Sequence, residues 1–572
     1  MHLPLRLKPT ALALAATAAL CAMPTWAATL TADPTATDGF AGDDKCSLRE
    51  AVMAINAGTA TADCANSVAD GFGVNDTINL PAGTYTLTTD GVDETYVASG
   101  GTVPWVADIT SDASRGDLDI TKSVKIVGAG SATTTIQWST EEGQARDRIF
   151  HVFAESGTID VQIQGVKLTN GQTLEEFIEA GPASGFGVEP TSYFLRRAGG
   201  AVAVGPAAAV VLVDPNKTGQ DNAEGRGGSK RPTEPDEGGA TFSLTLTDVI
   251  VDSNSAQGDG GGIYTAAAMT ATNVVVSNNT STTNGGGIYN EGNTTIAAST
   301  IKGNTAEGGG GFFGTGSNVV NIAGVTFSGN HAVGGGAISG RAGVTMRIVN
   351  STISGNTGSD VGAGVYTNGV AELRFVTIAN NLAGADSPTA GSGVNTFPSG
   401  SASVTLKNVL LAGNKKGWFE GMDDETIAAL PSANCGSTSG TPAIESRGHN
   451  LSSDDSCDDI FTVAGDLNNT DPKLGPLDDN GGPTQTHALA ADSPALGAGE
   501  DEADITTDQR GEPRDSPPDI GAFELPAPTD DADGGGGGGG CTTNPNAQFD
   551  GGLLGLLAAA FAGLALRRRR KA

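Results

Sequence analysis

The sequence predicts an all-β protein: a right-handed parallel β-helix solenoid with a short N-terminal capping helix and a loop-rich C-terminal cap. Three observations carry this. First, an asparagine recurs at Asn254, Asn279, Asn304, Asn330, Asn356 and Asn381, in steps of 25, 25, 26, 26 and 25, and a looser turn ends at Asn414. A fixed period of this size marks stacked supersecondary units. Second, an apolar residue stands three before each asparagine (Val251, Val276, Ile301, Phe327, Ile353, Ile378, Leu411) and eight before (Leu246, Ala271, Ile296, Ile322, Ile348, Leu373, Leu406). Others stand ten and five before, so apolar residues alternate by two within each run, the period of a strand. Third, turn formers punctuate the runs. Asp248, Asn273, Asn350 and Asn408 lie six before the asparagine, and glycine-rich runs follow it, as in GGGIY at 260–264 and 285–289, GGGAI at 334–338 and GAGVY at 362–366. Asparagine and glycine both tolerate the left-handed backbone that tight turns require.

Each unit thus reads as three short strands and three turns. Its strands pair with those of the next coil, about 4.8 Å away. Apolar columns fill the interior, and stacked asparagine amides bond coil to coil. A leucine-rich repeat has a similar period, but 249–380 holds a single leucine, Leu373, and no helical apolar pattern.

Taken in order, residues 1–27 read as a secretory signal. Arg6 and Lys8 precede an apolar run from Ala11 to Ala22, and Thr25 and Ala27 place small residues at −3 and −1 of a cut after Ala27. Residues 28–74 form an N-terminal cap. Leu48, Val52 and Ile55 share one helical face, Ser47 can cap that helix, and such a helix covers the open end of a solenoid. The coils occupy 75–434, with insertions near 88–115, 171–198, 214–239, 382–401 and 416–434. The insertion at 171–198 carries Phe177, Phe186, Tyr193 and Phe194, a candidate ligand loop whose rings could stack on sugars or simply pack the loop onto the solenoid. Residues 435–525 are loop-rich, and Asp508, Arg510, Arg514 and Asp519 read as a salt-bridge network tying down a cap. A linker follows at 526–540, with seven glycines at 534–540. The tail, 541–572, holds Cys541, an apolar run from Gly551 to Leu566, and Arg567 to Lys571. Those sixteen residues span about 24 Å as a helix, short of a ~30 Å hydrocarbon core but workable with snorkelling arginines.

Of six cysteines, Cys21 leaves with the signal. Cys46 with Cys64, and Cys435 with Cys457, are local pairs suited to disulfides in an oxidising compartment, each worth roughly 3 kcal/mol. Cys541 is the odd thiol, expected to be a processing or modification site.

Several stretches carry resemblances. CSLREAV at 46–52 closely resembles the CSLREA motif of secreted bacterial β-helix proteins. The GGxI and Asn-Thr repeats resemble those of polymorphic outer-membrane proteins. The text RGHNLSSDDSC, TDQRGEPR and PPDIGAFE within 435–525 is similar to the choice-of-anchor Q domain. The glycine tract, Cys541, short apolar run and arginines resemble a CTERM sorting tail of the JDVT or rhombosortase-related kind. Together these imply a pectin-lyase-like fold, export in a Gram-negative bacterium, an intramembrane sorting protease as partner, membrane contact through the tail before processing, and a cell-surface, outer-membrane or extracellular destination.

With 65 acids against 32 basic residues the chain lacks the basic face that nucleic-acid binding needs. The five histidines are scattered, without HExxH or GxSxG patterns. No cofactor is expected; Asp478-Asp479-Asn480-Gly481 is at most a weak calcium turn. On the outward column nine before the asparagine, Arg347 and Glu372 are one coil apart and read as a surface ion pair. Seven before, a position of inward parity, Arg374 is out of place after Thr272, Ala297, Ala323 and Val349. No catalytic residue is assigned. The expected function is a surface-anchored, adhesin-like solenoid presenting loops to a glycan or protein ligand. The alternatives are a polysaccharide lyase or glycoside hydrolase working in a groove, and a structural surface protein.

Overall fold

The computed structural model describes residues 27–526 except 40–41, 66–67, 70, 74, 90–112, 142–145, 155, 174, 179–192, 197–198, 206–210, 214–239, 385–390, 398–401 and 438–442. The architecture is the expected parallel β-helix. One coil shows the plan: Ala268–Thr272, Val275–Ser277, Thr280–Ser281 and Ile288–Asn290 lie on four tracks, called here sheets 1 to 4. Each strand pairs in parallel with its equivalent one coil on, as in Met269 with Thr294, Val276 with Ile301, Thr280 with Thr305 and Ile288 with Phe312. The repeat pattern gave three strands per unit; the extra one is sheet 3. Its strands follow the asparagine directly and are often only two residues long, too short for an apolar alternation to show.

The corners explain the turn residues. Between sheets 1 and 2 the residue six before the asparagine has positive φ. This holds at the expected Asp248, Asn273, Asn350 and Asn408, and also at Ala298, Gly324 and Phe375. Between sheets 2 and 3 the residue just before the asparagine does the same, at Ser253, Asn278, Gly303, Gly329, Gly355, Asn380 and Gly413. Between sheets 3 and 4 the glycine runs turn the chain. Gly285 has φ +67°, and a Cβ on Gly286 would sit 2.5 Å from the Thr305 carbonyl, so only glycine fits there.

The first corner corrects the placement of Arg374. Positions −10 and −8 point inward, and −9 and −7 outward. The left-handed residue at −6 resets the alternation, so parity counted back from −3 does not cross it. Arg374 lies on the outer surface of sheet 1.

Inside, columns of Ile, Val, Leu and Phe stack with almost no exposure, for example Ile296, Ile322, Ile348 and Leu373 on sheet 1 and Ile301, Phe327, Ile353 and Ile378 on sheet 2. Each side chain contributes roughly 1.5–3 kcal/mol by leaving water. The asparagines form the expected ladder. The Nδ2 of Asn279 donates to Asn304 Oδ1 at 3.0 Å and to the Val251 carbonyl at 3.0 Å, while Asn304 Oδ1 also accepts the Asn279 backbone N–H. The pattern repeats through Asn304, Asn330, Asn356 and Asn381 to Asn414, which donates to Asn434 at 2.8 Å. Each buried amide thus uses both donors and its acceptor oxygen, the condition under which buried polar groups stabilise rather than cost.

At the N-terminal end, Thr29–Thr31 pairs in parallel with Asp76–Leu80 and extends sheet 1. The helix Leu48–Ala57 begins in a complete capping box between Ser47 and Glu50, ends at left-handed Gly58, and buries Leu48, Val52 and Ile55. Cys46 is bonded to Cys64. At the other end, Cys435–Ser437, Ile444–Ser446 and Leu451–Ser452 add a last coil on sheets 4, 1 and 2, stapled by Cys435–Cys457.

Residues beyond about 470 then turn back along the outside of sheets 1 and 2 as a strap. Gln509 spans two coils: its Oε1 accepts from Thr352 at 2.6 Å and its Nε2 donates to Thr326 at 2.9 Å. Thr377 accepts the Ala522 N–H, and Asn408 Nδ2 donates to the Glu500 carbonyl. Arg514 lies 3.9 Å over the Phe375 ring and donates to Asn350, Gly521 and Glu524. Phe375 is a bulky residue at a corner where φ is +53°, a costly conformation, and the stacked guanidinium covers it. Among the described residues no helix is long and apolar enough to cross a membrane; the glycine tract, Cys541 and the apolar run 551–566 lie outside them.

Candidate functional site

Where the strap meets the corner between sheets 2 and 3, a groove of about 580 Å³ runs across successive coils. Its floor is the left-handed column Asn278, Gly303, Gly329, Gly355 and Asn380; Lys302, Ser328 and Ser354 edge it, and Pro476, Leu477 and His487 of the strap form the far wall. Beyond the floor there is open space: a Cβ on Gly329 or Gly355 would meet nothing within 4 Å. The floor repeats at the coil spacing of about 4.8 Å, a ruled surface suited to an extended polymer, with Lys302 as an exposed cation on its edge. In the sequence this floor is the run of Gly and Asn immediately before each anchor asparagine, a visible signal that the anchors overshadowed.

His487 closes the groove on the strap side. Its Nε2 lies 2.8 Å from Ser354 Oγ and its Nδ1 lies 2.7 Å from the Gly475 carbonyl. A carbonyl only accepts, so Nδ1 carries the proton and Nε2 accepts from the serine. Burial pushes the imidazole pKa below its usual value. This is the hydrogen-bond order of an activated nucleophile, but Ser354 and His487 are 3% and 2% exposed. The pair bolts strap to solenoid instead of presenting a nucleophile.

On the outer face of sheet 1, Arg347 and Glu372 form the expected pair, loosely, at 3.9 Å. Arg374 is held by Glu502 at 2.6 Å and Asp504 at 3.0 Å, and Lys407 by Glu500 at 3.0 Å and Glu502 at 3.2 Å. Burial works to lower the Lys407 pKa, but Glu500 and Glu502 outweigh it and raise the ammonium above its ordinary value. A lysine held charged in this way is a strap anchor and a poor general base.

A third cluster lies at the start of sheet 4, where Asp117, Asp119 and His151 place ligand atoms within 4.8 Å of one another, all buried. His151 Nδ1 is 3.0 Å from Asp119. The Arg148 guanidinium is paired with buried Asp117. The guanidinium offsets the charge of Asp117, and the His151 imidazole holds Asp119, so the cluster reads as an internal polar network under the N-terminal cap.

Of the other residues singled out in the sequence, Phe177 and Phe194 are directly opposite each other in an antiparallel pair, Glu175–Ile178 with Tyr193–Arg196, and Val211–Val213 adds a third strand. Tyr193 pairs with Ile178 in the same register. The candidate loop is thus built on a small antiparallel sheet separate in pairing from the solenoid's own sheets; Phe186 lies outside the described residues. Asp508 pairs with Arg510. Arg514 pairs with Glu524, which the sequence reading missed, and Asp519 accepts the backbone N–H groups of Gly497 and Leu525. Asp479 accepts the Gly481 N–H, and Asn480 donates to the Thr486 carbonyl, so 478–481 is a hydrogen-bonded hairpin turn. Ala27 is exposed at the edge of the described chain and Ala28 is buried.

Three segments, 248–266, 273–291 and 324–341, match the Chlamydia polymorphic membrane protein (Chlamydia_PMP) repeat. The repeat resemblance seen in the sequence is borne out there. Among curated proteins none matches the chain in sequence. Among solved structures, pectate lyase Pel9A aligns with a TM-score of 0.42 and 14% identity over 87% of this chain and 96% of that one. The A-module of Azotobacter vinelandii mannuronan C-5 epimerase AlgE4 aligns with a TM-score of 0.27 and 13% identity over 65% and 91%. At these identities and scores they say nothing of substrate.

Proposed function

We propose that this is an exported surface protein of a Gram-negative bacterium, a rigid solenoid that binds an extended surface polymer such as a glycan, in the manner of an adhesin. The groove beside the strap carries this reading, because its floor repeats with the coils and its edge offers a cation to an acidic chain. The match to a repeat of polymorphic membrane proteins supports the surface location. The aromatic-bearing small sheet is a second presenting element, for glycan or protein. The C-terminal tail is where we place anchoring, through a sorting protease acting near Cys541.

The test is a carbohydrate screen of the purified protein, with glycan-array binding run beside reducing-end and unsaturated-product assays. Binding without turnover, weakened at least tenfold by Lys302→Glu or Leu477→Arg with the fold intact, supports the reading. Product formation abolished by chelator or by a carboxylate substitution makes the protein a lyase or hydrolase. Neither signal leaves a protein ligand or a structural surface role.

A further inference from the structure

The buried start of the solenoid contains a carboxylate placed for a charge that the uncut chain does not have. Asp76 opens the strand Asp76–Leu80 and is 1% exposed. Its Oδ1 lies 2.6 Å from the backbone nitrogen of Ala28, itself fully buried. The Gly73 N–H also points at this carboxylate, at 3.0 Å to Oδ1 and 3.3 Å to Oδ2. The Ala28 carbonyl accepts the Thr77 N–H at 2.7 Å, and Thr29–Thr31 continues in register with Thr77–Asn79. Ala28 is therefore fixed from both sides, whereas Ala27, one residue earlier, is exposed.

We propose that Asp76 is the receptor for the mature N-terminus: the chain is cut between Ala27 and Ala28, and the new α-ammonium of Ala28 forms an ion pair with Asp76 that locks the first strand onto the solenoid. The inference rests on the export reading. Hydrolysis of the Ala27–Ala28 bond consumes one water and leaves a carboxylate on Ala27 and an amine on Ala28, which takes up a proton at neutral pH. The nitrogen does not have to move, because it already sits at hydrogen-bond distance. What changes is its charge, from an amide dipole to a full cation beside a buried anion. Charge-assisted hydrogen bonds are roughly twice as strong as neutral ones. The exposed side on which Ala27 leaves gives the remaining ammonium hydrogens access to water, which limits the desolvation cost. Processing and folding are thereby coupled: the N-terminal edge is tighter in the cut protein than in the precursor.

The experiment compares four proteins, beginning at Ala28 or at Ala27, each with Asp76 or with Asp76→Asn, by denaturant unfolding at pH 7. The substitution should weaken folding about tenfold more in the Ala28-start protein than in the one with a residue left in front. An equal effect at both lengths would make Asp76 an ordinary backbone acceptor and overturn the proposal. If the Asn variant fails to fold, the two Asp76 proteins decide alone: the Ala28-start form should be about tenfold more stable, and equal stability overturns the idea. Terminal sequencing of the secreted protein separates the premises. A first residue other than Ala28 removes the maturation event even where the engineered pair shows the charge effect.

Discussion

The coils carrying Asn254 to Asn304 and those carrying Asn330 to Asn414 share one repeat but end in different surroundings. On the outer face of sheet 2, four before the asparagine, Ile250, Val275 and Thr300 are partly exposed, whereas Thr326, Thr352, Thr377 and Leu410 are buried. The difference is the strap, whose Gln509 and Ala522 meet those threonines. A solenoid coil therefore has two stabilities, one from its own stacking and one from what returns to cover it. The first is periodic and the second is not.

Removing a ladder amide should have the largest effect and should be blind to the strap. Asn279→Ala in the open half and Asn330→Ala in the covered half each strand the neighbouring amide, and we expect losses of about 2–4 kcal/mol in both by urea unfolding. A loss confined to one half would mean that the ladder is not the common element. Cutting the strap's main anchor should divide the halves instead. Arg514→Ala leaves Glu524 without its cation and uncovers Phe375, for a loss of about 3 kcal/mol. Hydrogen exchange should then rise at Thr326, Thr352 and Thr377 but not at Thr270 or Thr295.

The strap should also carry a pH signature. Burial raises the Glu524 pKa to about 6 from an ordinary 4.5. The folded state thus binds more protons between those values, so stability rises as pH falls through about 6 and levels off below about 4.5. A gain of at most about 2 kcal/mol is expected in denaturant unfolding. Glu524→Gln should abolish it, and a fall in stability over that range would contradict the assignment. The smallest effect belongs to the exposed pair: Arg347→Ala should cost under about 0.5 kcal/mol, since a 3.9 Å contact at the surface is largely screened.

Legibility followed the range of the interaction. The capping box at Ser47, the disulfides Cys46–Cys64 and Cys435–Cys457, and the corner residues Asp248, Asn273, Asn350 and Asn408 are local, and each showed in its residue types. Ala298 and Phe375 occupy the same corner with no such signal, because stacking on the adjacent coils forces the backbone there. Arg374 was misplaced because parity does not survive a left-handed corner. The groove was half legible: its floor is a repeating column, but its wall of Pro476, Leu477 and His487 comes from roughly one to two hundred residues further along the chain.

By itself the sequence determined the repeat, the parallel β-helix, the inward columns and the asparagine ladder, since all of these depend on contacts between equivalent residues of neighbouring coils and so appear as a period. Only the tertiary structure decided where the strap lies, which threonines it buries, that His487 meets Ser354, and that Asp76 faces the nitrogen of Ala28. Those contacts join segments that share no period, and their geometry exists only once the coils have stacked.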